Sequence, residues 1–438
     1  MLSDGHRALF VLLIILPFLA QGIPYPGGIP LFLPVAALLI PATVFLRIAD
    51  KGVSGLVVSD GPFMAICVVV LLTHLYGIIL STDFPGQELL RDIFTGVVAM
   101  AIVFTAGNSE WSRTTRDRLV VTLAWTLLTI GAFVGLVGAY KFWLFVSQGQ
   151  TINYVLTASS KGYPWGTSLV TDYNFYALTI LVAILSGLYL CDGRPARIQI
   201  MLALTVAVLI IVGFLAGSRR FWVIAPLIIL AQLGWMVLRG GVRRYLPLLL
   251  AFLTFLVSAP IAIVAASDQG LVDLITTGWN LQYRLGTLLD STAAFGLRDS
   301  RFELWYAAAD RLTGLTPWVG DGFDYMRWFS CEYGNCSGDG YPHMPILSAY
   351  LYGGVLAGGM VIVLYLYMTI AGIRLMSHRG ATAWLIFPMM AAFLFAAISA
   401  NGPFSIRAHV VLGALCVGFS YADRVDAAKI RTDRSSLA

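Results

Sequence analysis

Residues 198–238 read IQIMLALTVAVLIIVGFLAGSRRFWVIAPLIILAQLGWMVL, and Arg219 and Arg220 are the only charged residues among them. An arginine in hydrocarbon costs roughly 2.5–3.5 kcal/mol on insertion scales. Two adjacent ones therefore sit outside a bilayer or serve a purpose within it. A crossing needs about 17–25 apolar residues, so the stretch holds two helices, and the arginine pair marks the turn between them.

Composition extends that reading to the whole chain. The 438 residues are 58% hydrophobic and 12% charged, with a mean hydropathy of +0.82, which excludes an ordinary soluble domain. Apolar runs fall near 8–24, 29–46, 62–80, 89–106, 118–146, 173–191, 197–217, 220–238, 245–266, 345–373, 381–400 and 404–421. The expected fold is an all-α polytopic membrane protein of about twelve transmembrane helices with one large loop containing short helices. The first run follows Arg7 but precedes PFLAQGIPYPGG, which has no small-x-small cleavage site. It is expected to be a retained helix.

Orientation follows from the short loops, because cytoplasmic loops carry an excess of lysine and arginine. With the N-terminus inside, Arg47, Lys51, Arg113, Arg116, Arg118, Arg194, Arg197, Arg239, Arg243, Arg244, Arg374 and Arg379 are cytoplasmic. Only Lys161, Arg219 and Arg220 fall in the opposite short loops. The expected organisation is helices one to nine over 1–266, a large outer loop with an amphipathic helix over 267–344, helices ten to twelve over 345–421, and a basic cytoplasmic tail over 422–438. On this topology Arg219 and Arg220 lie outside, against the bias that orients everything else.

Between Ser267 and Pro342 the chain has five arginines (Arg284, Arg298, Arg301, Arg311 and Arg327), ten carboxylates and no lysine. Arginine's planar fork suits bidentate recognition of an anion. Within this segment RDSRFELWYAAADRL reads as a helix: Ser300 as N-cap and Glu303 make a capping box, with Arg301 at the first helical position. Phe302, Trp305, Tyr306 and Ala309 recur at helical spacing, as in a helix lying on a membrane surface. GSRRF repeats this local chemistry, with Ser218 as cap and Arg219 after it. Two such N-termini facing one another would hold a pyrophosphate through free N–H groups and guanidinium forks. The plainer alternative is two ordinary caps with snorkelling arginines.

Five histidines occur, and His343, in GYPHMPILSAYLYGGVLAG, lies where the outer loop enters helix ten. A neutral imidazole there can accept a proton from a hydroxyl near neutral pH; otherwise it is an interfacial residue at a helix start. Arg91, Lys141, His74, Arg407 and His409 also fall in the outer halves of their helices, whereas the helix centres carry almost no charge. A transporter would place polar groups near the midplane as well. Neither paired C-x-x-C, HExxH nor EF-hand patterns occur, so no metal site is expected. Cys331 and Cys336 either form a disulfide in the outer loop or are two free thiols.

AGSRRF, DSRFELW, GDGFDYM and PHMPILSAYLYGGVLAG, in this order, resemble the O-antigen ligase family and its relatives among the polysaccharide polymerases. TDYNFYAL, with Asp172 and Asn174, is similar to another short element of that family, and the likeness covers most of the chain from helix five onward. The resemblance implies a glycosyltransferase of the bacterial inner membrane that acts at the periplasmic face in lipopolysaccharide biosynthesis. A glycan on undecaprenyl pyrophosphate would pass to a hydroxyl of the lipid A core oligosaccharide; a polymerase would instead use a second lipid-linked glycan as acceptor. Besides these glycolipids the implied partners are membrane lipids, not nucleic acid, and no cofactor is implied.

Carried over by motif, Arg219 and Arg301 would bind the donor pyrophosphate and His343 would activate the acceptor hydroxyl. Arg220, Arg298, Asp172, Asn174 and Arg91 join them as candidate substrate-binding residues. Fixed guanidinium groups can stabilise the charge that develops on a departing pyrophosphate, and no D-x-D metal pair occurs in the chain; the implied mechanism is metal-independent and inverting. Two positions depart from the family pattern. Met344 stands where Asn or Ser often follows the histidine, and Arg220 stands where glycine is frequent.

Overall fold

The computed structural model describes residues 2–19, 32–52, 60–82, 87–107, 113–147, 173–215, 218–250, 253, 300–333, 340–379, 383–398 and 400–436, and every regular element among them is helical. In chain order the helices are α1 (Leu2–Leu19), α2 (Phe32–Lys51), α3 (Gly61–Leu80), α4 (Gln87–Ala106), α5 (Arg113–Ser147), α6 (Tyr173–Leu190), α7 (Ala196–Leu215) and α8 (Arg219–Gly240). They continue with α9 (Ser300–Arg311), α10 (Thr316–Val319), α11 (Tyr325–Tyr333), α12 (Pro345–Arg379), α13 (Ala383–Ile398) and α14 (Arg407–Ser436), with a 3-10 turn at Gly322–Asp324. Residues 242–250 are also helical. The rest of the ninth expected span, apart from residue 253, and the outer loop from 267 to 299 lie outside the described residues.

Six helices among the described residues are long and apolar enough to cross a membrane: Gly61–Leu80, Leu89–Ala106, Thr114–Tyr140, Ala196–Gly213, Val223–Gly240 and Pro345–Ser377. Shorter apolar helices run over Ala8–Phe18, Pro34–Leu46, Phe175–Leu190 and Trp384–Ile398. Their surfaces suit hydrocarbon. On α8, Val223, Leu227, Leu230 and Leu238 are all exposed, and leaving such side chains in water forgoes roughly 1.5–3 kcal/mol each. Inside the helices, Thr95, Thr105, Thr179, Ser186 and Thr369 each donate to the carbonyl four residues back, so their hydroxyls need no other partner.

Helix starts follow sequence chemistry. Asp60 caps α3 by accepting from the Phe63 N–H at 3.1 Å, with Pro62 in the first turn. Ser218 caps α8 by accepting from the Phe221 N–H at 3.4 Å, as its place before Arg219 predicts. Ser300 is itself the first residue of α9, and Glu303 lies in the first turn.

The contacts divide the chain into two compact units, Met1–Ile14 with Phe32–Arg116 and Gly296–Ala438, and Ile15–Leu31 with Asp117–Phe295. In the first, α12 is central and packs against α3, α9, α10, α13 and α14, while α4 packs against α2, α3 and α14. In the second, α6 packs against α7 and α8 and is buried from Tyr176 through Leu188. A helix apolar all round is a core helix. A methyl on Gly131 of α5 would stand 2.1 Å from the Ala183 Cβ of α6, so these two helices need glycine to approach as they do.

Two departures from local expectation matter for function. α12 is broken at Gly353 (φ −141°, ψ 17°) and Gly354 (φ 64°, ψ −160°). The stretch expected as a basic tail from residue 422 continues α14 as far as Ser436.

Candidate functional site

The break in α12 is filled by the loop that precedes α11. A Cβ on Gly354 would come within 2.2 Å of the Trp318 carbonyl oxygen, and one on Gly320 (φ 80°) within 2.5 Å of the Gly353 nitrogen. Both positions therefore require glycine, and Gly354 also requires it for its positive φ. The Asp321 N–H donates to the Leu351 carbonyl at 2.7 Å, a group near the break in the helix ladder. On its other side the loop grips the end of α3. Asp324 accepts from the Thr82 N–H at 2.9 Å and from its hydroxyl at 2.9 Å, and the Phe323 N–H donates to Ser81 Oγ at 2.7 Å. The GDGFD motif is thus a wedge between α3 and α12.

Beside this wedge a second segment enters α12. His343 has φ 50°, and no other described non-glycine residue has a positive φ. A left-handed residue costs roughly 1–2 kcal/mol, so the conformation is held by its surroundings. Pro345 begins α12, and the Met344 carbonyl accepts from the Ser348 N–H at 2.9 Å. His343 Nδ1 lies 2.9 Å from Asn401 Oδ1. Asn401 comes from the short connection between α13 and α14, 58 positions along the chain from its partner.

That connection is a tight turn. The Ser405 N–H donates to the Gly402 carbonyl at 3.2 Å, and the Gly402 N–H donates to Ser405 Oγ at 2.8 Å. Ser405 Oγ in turn donates to the Asp92 carboxylate of α4, 3.3 and 3.4 Å from its two oxygens. Tyr365 of α12 donates its hydroxyl to the Pro403 carbonyl at 3.2 Å. A Cβ on Gly402 would stand 2.0 Å from Asp92 Oδ2, so only glycine lets the turn sit over that carboxylate.

Between the wedge and the turn lies a small cleft of about 20 Å³, partly open to solvent, lined by His74, Asp92, Tyr325, Tyr352, Asn401 and Ser405 among others. Among the described residues no lysine or arginine lines it. His74 is 1% exposed; its Nδ1 lies 2.9 Å from the Val70 carbonyl and 3.2 Å from Tyr352 Oη. The carbonyl can only accept, so Nδ1 carries the proton. The walls offer a carboxylate, an amide, hydroxyls and aromatic surface. Such a set suits a hydroxyl better than an anion.

The remaining expected site residues are distributed as follows. Arg301 lies in the first turn of α9, which packs on α12, and so belongs to the same unit as His343. On α9 the residue buried against the protein is Ala308, while Tyr306 and Ala309 are exposed. Arg91 is half-buried on α4 beside Asp92. Arg219 and Arg220 occupy the first turn of α8, and Asn174 the first turn of α6, in the second unit. Asp172 and Arg298 lie outside the described residues. Cys331, on α11, is disulfide-bonded; Cys336 lies outside the described residues, and Cys67, Cys191 and Cys416 are free and buried. No group of three or more potential ligands gathers for a metal ion among the described residues.

Sequence reasoning missed Asp92, Asn401, Ser405 and Tyr352. The sequence NGPFS between two apolar runs is a turn signal, but nothing local joins it to His343. Fold and site define an all-helical protein with membrane-compatible helices and a polar cleft at their ends. Comparison of the chain with protein-family models, curated proteins and solved structures finds no match.

Proposed function

We propose that the protein is a membrane-embedded glycosyltransferase of the O-antigen ligase type, moving a glycan from undecaprenyl pyrophosphate to a hydroxyl of the lipid A core oligosaccharide. The observation that carries the proposal is the pairing of His343 with Asn401, a wall residue of a cleft that holds hydroxyl-binding groups and, among the described residues, no lysine or arginine. The motif resemblance assigns the roles. In this reading the acceptor sugar sits at the cleft and His343 takes the proton of its attacking hydroxyl. The acceptor oxygen bonds to the anomeric carbon while the bond from that carbon to the pyrophosphate oxygen breaks, and the pyrophosphate leaves with the electron pair. Arg301, in the first turn of α9, stabilises that charge; Arg219 is assigned the same part by the motif resemblance alone.

The same reading includes twelve spans, both termini in the cytoplasm of a bacterial inner membrane and a periplasmic site. It gains support from helix direction. The C-terminal end of α3, the N-terminal parts of α4 and α12 and the α13–α14 turn share one end of the first unit, and all fall on the outer side in the charge-bias topology.

Purified protein in lipid nanodiscs, given undecaprenyl-pyrophosphate-linked glycan and lipid A core, tests the proposal. Sugar on the lipid A core, undiminished by EDTA, is the expected result. Elongation of the undecaprenyl-linked chain instead would assign a polymerase, and no transfer to either acceptor would overturn the enzymatic reading.

A further inference from the structure

We infer that Asn401 is a positioning residue that fixes the tautomer of His343, and that Asp92 acts one step behind it by holding the turn that carries Asn401. The inference rests on the reading of His343 as proton acceptor and adds to it the residues that make the acceptor nitrogen available.

An amide oxygen can only accept a hydrogen bond. At 2.9 Å from Asn401 Oδ1, His343 Nδ1 must therefore be the protonated nitrogen, and the lone pair of the neutral ring resides on Nε2. A histidine's reactive nitrogen is set by the hydrogen bond that its other nitrogen makes. Loss of that acceptor removes the bond that keeps the proton on Nδ1, and the tautomer protonated at Nε2 would turn an N–H toward the acceptor hydroxyl instead of a lone pair. The positive φ of His343 (50°) does not choose between the two ring nitrogens; the bond to Asn401 distinguishes Nδ1 from Nε2.

Asn401 must in turn be held. It immediately precedes the Gly402–Ser405 turn, whose hydroxyl-to-amide bond (2.8 Å) closes it from inside and whose hydroxyl proton points at Asp92. The carboxylate accepts from Ser405 through both oxygens, at 3.3 and 3.4 Å, so the hydroxyl oxygen is left to accept from the Gly402 N–H. Each group in this series has one role: Asp92 orients Ser405, Ser405 closes the turn, and the turn presents Asn401 to His343. The series joins α4, the α13–α14 connection and the entry to α12, three parts of the chain that no local pattern relates.

The full chain, labelled with ¹³C,¹⁵N-histidine and held in nanodiscs at a pH where the imidazoles are neutral, tests this by nitrogen NMR. The signal that disappears in His343→Gln identifies His343. We expect it to show a protonated Nδ1 and a bare Nε2 in the wild type, to keep that pattern in Asn401→Asp, and to lose it in Asn401→Leu; Asp92→Ala should give a mixture. A wild-type His343 protonated at Nε2, or an unchanged signal in Asn401→Leu, would overturn the inference whatever the enzyme does. In the transfer assay Asn401→Leu should lower kcat about 100-fold, with the acceptor KM within about twofold and activity largely restored in Asn401→Asp. A rise in KM at unchanged kcat would overturn the positioning role. Absence of transfer by the wild type, with the expected tautomer present, would remove the enzymatic reading alone.

Discussion

The two ends of the first unit are built from different bonds. At one end, Asp60 is 1% exposed and accepts from Phe63 N–H, from the Tyr367 hydroxyl at 2.8 Å and from Arg424 at 2.8 Å. Close by in the sequence of α14, the fully buried Arg116 pairs with Asp426 and, at 3.6 Å, with Asp423. At the other end the links from His343 to Asn401 and from Ser405 to Asp92 are neutral or singly charged hydrogen bonds beside the cleft. Ion pairs of this kind close helices together. The hydrogen bonds at the other end hold a histidine and a turn whose Asn401, Gly402 and Ser405 line a cleft.

That contrast can be broken from either side, and the largest effect belongs to chemistry. His343→Ala should reduce transfer about 10²–10⁴-fold, the usual worth of a general base, and Arg301→Ala should fall in the same range. Both variants should keep the wild-type melting temperature in detergent. A loss of stability comparable to that of the closing end would merge the two ends into one structural role. Full activity in either variant would remove its assigned part.

At the closing end Arg116→Ala should cost about 3 kcal/mol of stability, because it strands two carboxylates around a cavity. Asp426 is 35% exposed on its side chain, which places the effect at the low end of the range for buried pairs. Thermal unfolding of the purified protein would show it as a lowered melting temperature, with kcat of the surviving folded fraction unchanged. The smallest effect is expected for Asp60→Asn. The amide keeps the cap on α3 and an acceptor for Tyr367 but loses the ion pair with Arg424, which is half exposed, so a change of about 0.5–1 kcal/mol is expected. A larger loss would show that the pair, and not the cap, holds the end of α14.

Helices were legible to within a few residues wherever hydropathy is continuous: the apolar run at 62–80 is Gly61–Leu80, and that at 220–238 is Arg219–Gly240. The cap at Ser218 was legible too, since capping depends on residues three apart. The break in α12 was not. GG inside an apolar run reads equally as close helix packing, and only the wedge at Trp318–Asp321 explains a positive φ at Gly354. The continuation of α14 past residue 421 was hidden for a related reason. Its charges look like a solvated tail until Arg116 and Asp60 are brought to them from 310 and 364 residues away.

What the sequence determines by itself is the environment and the elements. The hydropathy of each run sets the helices, the distribution of arginines and lysines sets an expected orientation, and the motifs single out Arg219, Arg301 and His343. What only the tertiary structure decides is which atom of which residue is available. His343 Nδ1 meets an amide oxygen 58 positions later, and the turn that follows this amide is tied to a carboxylate 313 positions before its serine. Local propensity acts over a turn or two of chain. Hydrogen bonds of this kind act over about 3 Å of space, and only folding brings such residues that close.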